Sequence, residues 1–280
     1  MTDQSEKAEQ FRRLHKGPKA LILPNAWDVA SARVFEDAGF HAVATSSAGM
    51  MVSLGYPDGE AIDRKILVSA IRRIAQALVV PLSADVVGGF GRTPKEVRAT
   101  VRSVIEAGAI GINIEDAIHE TGELVAMSAQ VEKLGTLRDL RDSADVPFVI
   151  NARTDALRHA PGNPDERLAE AIRRGIAYRD AGADCLYPMG LTDAESIAAF
   201  VRAVDFPVNV MVRKGLPPIG KLEKLGVARV SFGPSASYAA MGLLKRAAAE
   251  VQQRGTYSTL LDGAISYEEL NRLASPNRAP

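Results

Sequence analysis

Four short apolar runs in this chain end on residues that could do chemistry. HAVATSS closes on Thr45, Ser46 and Ser47; VVPLSAD closes on Asp85. AIGINIED closes on Glu115 and Asp116, and VPFVINARTD on Arg153, Thr154 and Asp155. A buried strand has no packing use for carboxylates or a guanidinium at its tip. If parallel strands gather these tips at one end of a barrel, they build an active site there. The residue types then describe an acidic, metal-capable centre with a cationic clamp for an anionic substrate.

The elements that must position those tips follow from a weak internal repeat. EDAGFHAVATSS, IEAGAIGINIED, RDAGADCLYPMG and EKLGVARVSFGP share one design: a helix ends, a glycine follows (Gly39, Gly108, Gly182, Gly226), and an apolar run begins. Glycine just past a helix end can take the left-handed conformation that satisfies trailing carbonyls. VVPLSAD, DVPFVINAR and DFPVNVMV enter instead through Pro81, Pro147 and Pro207, where a strand start tolerates a missing N–H. With ALILPNAWD these segments give eight candidate strands, near residues 20–25, 41–46, 80–85, 110–115, 147–152, 184–188, 207–211 and 228–232.

Helical patterns lie between them. DRKILVSAIRRIAQAL places Ile66, Leu67, Ala70, Ile71 and Ile74 on one face. TPKEVRATVRSVIEAG opens with Thr93 as N-cap, Pro94 in the first turn and Glu96 completing a capping box. Regular strand–helix alternation means βαβ units and parallel strands. Eight of them predict an α/β fold of the closed (β/α)8 TIM-barrel type. The competing fold is an open doubly wound sheet, but no G-x-G-x-x-G follows the first strand. The expected organisation is one barrel domain over residues 1–280, with an N-terminal helix at about 4–16 and a helical tail at about 256–280. In that tail ISYEELNRLA reads as a short amphipathic helix that covers a barrel end, reaches a neighbouring subunit, or stays a mobile terminus.

Composition narrows the function classes. The 280 residues are 46% hydrophobic and 24% charged, with 34 Lys+Arg against 34 Asp+Glu. A net charge of zero gives no bulk attraction to nucleic acid or to an anionic membrane, so neither is an expected partner. The single cysteine, Cys185, excludes an internal disulfide and fits a reducing cytoplasm, the expected location. It lies inside the strand-like ADCLYP, as a small buried hydrophobe would. The N-terminus MTDQSEKAEQFRRLHKG lacks the apolar core of a signal peptide. No apolar stretch approaches the ~18 residues that span a bilayer.

The strand-tip segments SSAG, SADVVGGFG, GINIED and INARTDA, in this order and spacing, resemble the isocitrate lyase/phosphoenolpyruvate mutase superfamily. PNAWDVASARVFEDAGF matches the opening of that family. PVNVMVRKGLPPIGKLEKLGVARVSFGP resembles its phosphoenolpyruvate phosphonomutase-like branch. The likeness runs over nearly the whole chain. It implies a Mg2+-dependent enzyme, with Mn2+ as the alternative ion, acting on an α-oxo acid or enolpyruvate unit. The reactions implied break or rearrange C–C or P–C bonds. A helix swapped between subunits and a homotetramer or dimer are also implied, which would give the tail a role.

The resemblance carries over residue by residue. Asp85 matches the metal-supporting aspartate, and the glycines of VVGGFG let backbone approach a ligand; a helix N-cap or a barrel salt bridge is the alternative. Glu115 matches the glutamate that meets the metal through water, with an ion pair to Arg153 as the alternative. Asp116 follows on the opposite pleat, so only one of the two can point along the barrel axis. Arg153, in ARTDA, matches the substrate-engaging arginine, although a structural pair with Glu115 or Asp155 stays open. Ser46, Ser47, Ala48 and Gly49 form a small-residue turn whose amides could hold a carboxylate or enolate oxygen. Ser46 matches the family serine and Ser47 replaces a glycine. Asp58, in GYPDGE, matches an aspartate near the reacting centre, and Pro-Asp-Gly is also a plain turn signal. Tyr187 and Asn209 sit at strand ends and could line the pocket; Trp27 and Phe90 could wall it or simply pack.

Two departures shape the expected reaction. Val87 stands where the family usually has a second carboxylate. The loop after the fourth strand, AIHETGELVAMSAQ, lacks the cysteine of a Lys-Lys-Cys-Gly-His-like motif and the Lys and Asn of the mutases. This argues against isocitrate or 2-methylisocitrate lyase activity and against faithful mutase chemistry. His119 and Glu120 are the acid–base candidates in that loop, unless both are simply solvated. The leading expectation is a metal-assisted lyase on a small α-oxo or dicarboxylic acid, decarboxylation being its simplest form. P–C bond chemistry on a phosphonopyruvate-like substrate and a barrel that binds a carboxylate without turnover are the alternatives.

Overall fold

A computed structural model of the chain describes residues 3–275, so residues 276–280 of the expected tail lie outside the described residues. In chain order the strands are β1 (Leu21–Leu23), β2 (Asn25–Ala26), β3 (Val43–Thr45), β4 (Leu82–Asp85), β5 (Gly111–Glu115), β6 (Ala117–Ile118), β7 (Glu123–Leu124), β8 (Val149–Thr154), β9 (Cys185–Pro188), β10 (Asn209–Met211) and β11 (Arg229–Ser231). The helices are α1 (Asp3–Leu14), α2 (Val29–Asp37), α3 (Ser47–Ser53), α4 (Arg64–Ala77), α5 (Pro94–Glu106), α6 (Met127–Asp142), α7 (Ala156–His159), α8 (Pro164–Asp180), α9 (Ala194–Val204), α10 (Ile219–Lys224), α11 (Ser235–Arg254), α12 (Ser258–Leu261) and α13 (Tyr267–Ala274).

β2, β3, β4, β5, β8 and β9 form one parallel sheet, and β10, β11 and β1 a second. A parallel bridge from Leu186 to Val208 joins them at one seam. At the other, the first expected strand is broken at Pro24: β1 pairs with β11 and β2 pairs with β3. Asn25 fastens this seam, donating from Nδ2 to the Thr45 carbonyl at 2.8 Å and accepting at Oδ1 from the Phe232 and Gly233 amides at 2.9 Å. The eight expected strand positions are thus the staves of a closed (β/α)8 barrel. The helix-ending glycines behave as their positions require, with φ of 86° at Gly39, 107° at Gly108, 109° at Gly182 and 84° at Gly226. The capping box at Thr93 and Glu96 is formed, with Pro94 in the first turn.

Side chains alternate along the staves. In β5, Ile112 and Ile114 pack outward against the helices, while Gly111, Asn113 and Glu115 face the barrel axis. The lower interior is apolar: Leu21, Leu23, Ala42, Ala44, Ile110 and Val149 cluster with Ala8 and Phe11 of α1. That helix stoppers the N-terminal end of the barrel. Gln4 donates to the carbonyls of Ile105 (2.6 Å) and Ala109 (3.0 Å), and Arg12 to that of Pro147 (2.8 Å). A closed lower end leaves the C-terminal mouth as the way in, which is where the expected site residues lie.

His15, just after α1, is the titratable group of this stopper. Its ring packs edge-on against Phe11 at 4.7 Å, and Nε2 has no hydrogen-bond partner. Burial, reinforced by the Arg229 charge, pushes its pKa down to about 3. Below the ordinary value near 6.5 the unfolded chain takes up a proton that the folded one refuses until about pH 3. Stability is therefore full above pH 6.5 and falls as the pH drops, by about 2 kcal/mol at pH 5. Replacing His15 with Phe keeps the ring and removes the proton. The variant is expected to lose less stability between pH 6.5 and 5 than the parent in urea melts; parallel losses would contradict this.

Candidate active site

The C-terminal mouth opens into a cavity of about 280 Å³. Ser46, Ser47, Ala48, Asp58, Asp85, Arg153, Tyr187 and Asn209 all line it. Strands more than 150 residues apart in sequence thus converge, because every stave delivers its last inward-facing residue to the same rim. Asp85 ends β4. Its Oδ2 accepts from the Ser47 amide at 3.1 Å, and its Oδ1 from Asn113 Nδ2 at 3.0 Å and the Val87 amide at 3.3 Å. Its own amide donates to Thr45 Oγ1 at 2.8 Å. These bonds fix the carboxylate's orientation while its face stays toward the cavity.

Glu115 lies just behind the wall, 1% exposed. Its Oε2 pairs with Arg153 Nη1 at 2.6 Å, and its Oε1 meets His119 Nε2 in a short hydrogen bond. Arg153 is also held by Asp155, through Nε at 2.7 Å and Nη2 at 2.8 Å, and lies 5.7 Å over the Tyr187 ring. Sequence reading left a catalytic and a structural role open for this arginine. The geometry joins the two: a cation clamped by two buried carboxylates, with remaining Nη–H groups toward the cavity. Burial raises the Glu115 pKa against the opposing pull of Arg153 and His119. The hydrogen bond to Glu115 raises that of His119. For Arg153, burial works against the charge, but Glu115 and Asp155 outweigh it and hold the guanidinium firmly ionised. Glu115 and His119 are therefore set up to share a proton between Oε1 and Nε2.

Asp116, on the opposite pleat, points out of the barrel. It accepts from Thr154 Oγ1 (2.8 Å), the Asp155 amide (2.8 Å), Arg174 (2.9 Å) and Tyr178 (2.6 Å). This buried carboxylate fastens the loop after β8 and so positions Asp155 behind Arg153.

The small-residue turn differs from expectation. Ser46 caps α3, accepting from the Gly49 amide at 3.3 Å. The Ser46 amide is bonded to the Ala26 carbonyl at 2.9 Å and the Ser47 amide to Asp85. The amides expected to face a carboxylate are thus already engaged, because the segment enters a helix rather than a loose turn. What it offers a ligand is the serine hydroxyls and the Ala48 amide in the first turn of α3.

Asp58 is exposed at the cavity rim, and its carboxylate accepts from the Gly59 amide at 3.0 Å. Gly59 has φ 119°, and a Cβ there would stand 3.2 Å from that of His119, so glycine lets the two loops touch. Tyr187 is buried, which pushes its phenol pKa up, and its hydroxyl donates to Met189 Sδ at 2.9 Å. Asn209 is buried with its amide toward Ser231 Oγ at 3.2 Å. Trp27 and Phe90 pack against the helix-facing core. So does Val87, at φ 53°, whose carbonyl accepts from the Glu115 amide at 2.9 Å. Burial pushes the Cys185 thiol up to about 12. Glu120 is exposed in the β6–β7 turn, whereas His119 lines the cavity. Arg229, Ser83 and Asn113 line it too and went unread in the sequence. The alternation in AlaArgValSer around Arg229, polar inward and apolar outward, was the available signal.

Among the described residues no group of three or more His, Cys, Asp and Glu side chains is close enough to hold a metal alone. Apart from His119, whose Nε2 is engaged by Glu115, the carboxylate and hydroxyl donors at the mouth are oxygens: Asp85, Asp58, Thr45 and the serine hydroxyls. That set fits a hard cation such as Mg2+, which binds through one or two carboxylates and keeps waters or substrate oxygens for the rest.

Comparison with known proteins places this geometry. The family model for phosphoenolpyruvate phosphomutase matches residues 11–252. The 2-methylisocitrate lyase of Escherichia coli K12 is 32% identical, over 93% of this chain and 89% of its own. A Burkholderia cenocepacia structure, assigned provisionally as a lyase or mutase, superposes with a TM-score of 0.90 at 41% identity, covering 98% of each chain. Oxaloacetate acetylhydrolase, solved with its product oxalate, superposes with a TM-score of 0.84 at 25% identity, over 96% of this chain and 94% of its own.

Proposed function

The chain belongs to the phosphoenolpyruvate mutase/isocitrate lyase superfamily, and from that premise we propose that it is a divalent-metal-assisted lyase cleaving a C–C bond in a small α-oxo or dicarboxylic acid. The observation that carries this reading is the convergence of Asp85, Arg153 and His119 on one cavity, with Glu115 behind its wall bonded to both Arg153 and His119. Asp85 would hold Mg2+ or Mn2+ directly, with Glu115 reaching it through water. When bound, the ion supplies Lewis-acid polarisation of the α-oxo and carboxylate oxygens. Arg153, oriented by Asp155, anchors the substrate carboxylate with its cavity-facing N–H groups. As the C–C bond breaks, its electron pair forms a carbon–carbon double bond and the carbonyl pair moves onto the α-oxo oxygen as an enolate, which the Arg153 charge stabilises. The departing fragment leaves as CO2 or, where it carried a deprotonated hydroxyl, as a carbonyl compound. The proton held between His119 Nε2 and Glu115 Oε1 is then available to the product carbon. This replaces the cysteine acid of the classical lyases, since the one cysteine here is buried in β9. Methylisocitrate cleavage is accordingly not the expected reaction.

Purified protein with Mg2+ should turn over at least one member of a panel of oxaloacetate-like acids, followed by pyruvate or carboxylate release. Phosphate release from phosphonopyruvate alone would favour P–C chemistry. Binding without product across the panel would contradict the lyase reading.

A homo-oligomer built by helix exchange, in the cytoplasm, completes the proposal. Of the twenty residues of α11 only Ser237 and Ala247 are buried, and Met241, Leu243, Leu244 and Val251 are exposed. An apolar groove lined by Trp27, Val29, Leu54, Ile66, Ala70 and Ile74 runs between α2 and α4. A partner's α11 would cover both surfaces. The tail helix α13 packs on α2 of its own chain, with Arg272 on Asp37 at 2.7 Å and 2.9 Å. Light scattering should give a dimer or tetramer, and the double change Met241→Glu, Leu244→Glu should dissociate it. A monomeric parent at micromolar concentration would contradict this.

A further inference from the structure

Arg229 is the first residue of β11, level with Leu21 and Asn209 in the stave register. That level belongs to the lower barrel, and the Arg229 charge acts on His15 of the stopper beneath. Val230 points out to the helices, so Arg229 points in, and it lines the floor of the cavity. Its side chain is 2% exposed, yet Nε and Nη1 have no hydrogen-bond partner. Three other guanidiniums of the described interior are matched by carboxylates: Arg153 by Glu115 and Asp155, Arg174 by Asp116 and Glu170, and Arg141 by Asp184. Arg167 Nε also lacks a partner, but that residue is only half-buried and lies outside the cavity. Ser83 Oγ, on the same cavity, is a second buried polar atom without a partner.

A guanidinium cannot shed its proton, so it cannot escape burial by becoming neutral. An unpaired buried charge is costly unless something compensates it. The surrounding field does not: burial lowers the Arg229 pKa, and the one carboxylate named against it is Asp85, which lines the same cavity without bonding to Arg229. Arg153 shares its charge with two acids, whereas Arg229 has no carboxylate paired to it and so offers a second cation to a ligand. We propose that Arg229 is a specificity-determining residue that binds the distal carboxylate of a dicarboxylic acid, the group not attached to the reacting α-oxo carbon. Its planar fork suits a carboxylate, and Ser83 Oγ can add a donor. This selects diacids over pyruvate-sized monoacids, and it rests on the proposed lyase reading for which end of the substrate reacts.

Calorimetry on the full-length protein with Mg2+ tests this without turnover, using malonate and succinate as unreactive diacids and pyruvate as monoacid. Arg229→Gln should weaken diacid binding roughly 10- to 100-fold, the worth of hydrogen bonds to a charged group. Pyruvate binding should change less than about twofold, and Arg229→Lys should restore part of the loss. Without ligand, Arg229→Gln should melt no lower than the parent, because it removes an uncompensated buried charge. A merely structural arginine would give a lower melting temperature instead. Equal losses for diacids and pyruvate, or no loss for either, would overturn the proposal. So would stabilisation of the parent by chloride with unchanged diacid binding in the variant, which would make this an inorganic-anion site. Diacid-selective binding with no turnover would instead sink the lyase reading and leave this one standing.

Discussion

Arg153→Met is expected to abolish turnover and to cost the fold about 3–5 kcal/mol, the scale for removing one partner from a buried ion pair. The reason is the clamp rather than the cavity. Glu115 and Asp155 are 1% and 0% exposed, and Arg153 is the cation between them. Methionine fills similar space but leaves Glu115 with His119 as its remaining partner and Asp155 with only the longer Arg158 contact at 3.4 Å. The deficit should shrink as pH falls through the carboxylate range, since protonation removes the uncompensated charges. Arg153→Lys separates stability from function. It keeps the charge, so it should recover part of the stability. It loses the fork that meets Asp155 with two bonds, so activity should stay low. Urea midpoints for the three proteins at neutral and acid pH decide the matter. A methionine variant as stable as the parent would mean that the clamp contributes nothing.

The second large effect is on the metal. Asp85→Asn preserves volume and an oxygen for Asn113 and the Val87 amide, and loses at most the Ser47 amide bond, about 1–2 kcal/mol. Turnover should nevertheless fall more than ~100-fold, because even outer-shell partners of a metal can matter that much. Thermal melts with and without Mg2+ give the independent readout. The parent should be stabilised by millimolar Mg2+ in the way any ligand of the native state stabilises it. The asparagine variant should not. Unchanged Mg2+ stabilisation in the variant would move the ion away from Asp85.

The barrel was legible in the sequence because its signals are local. Helix-ending glycines, strand-opening prolines and the capping box at Thr93 and Glu96 each depend on a few adjacent residues. Parity was legible too: only one of Glu115 and Asp116 could face the axis, and Glu115 does. What stayed hidden was partnership across the barrel. Nothing near Ser47 in sequence says that its amide will be taken by Asp85, 38 residues on. Nothing near Arg12 announces a stopper bonded to Pro147, 135 residues away. The break at Pro24 was hidden for the same reason, since only the identity of the two neighbours splits one strand into β1 and β2. Arg229 combined both difficulties. Its inward parity could be read, but its lack of a partner is a property of the whole interior.

The most direct measurement is a crystal structure of the full-length protein grown with Mg2+ and oxalate, a stable mimic of the pyruvate enolate. One ion is expected on Asp85 in the mouth of the barrel, with oxalate reaching from that ion toward Arg153 and the Ala48 amide. Density for the ion away from Asp85, or oxalate bound outside this cavity with Arg153 untouched, would contradict it.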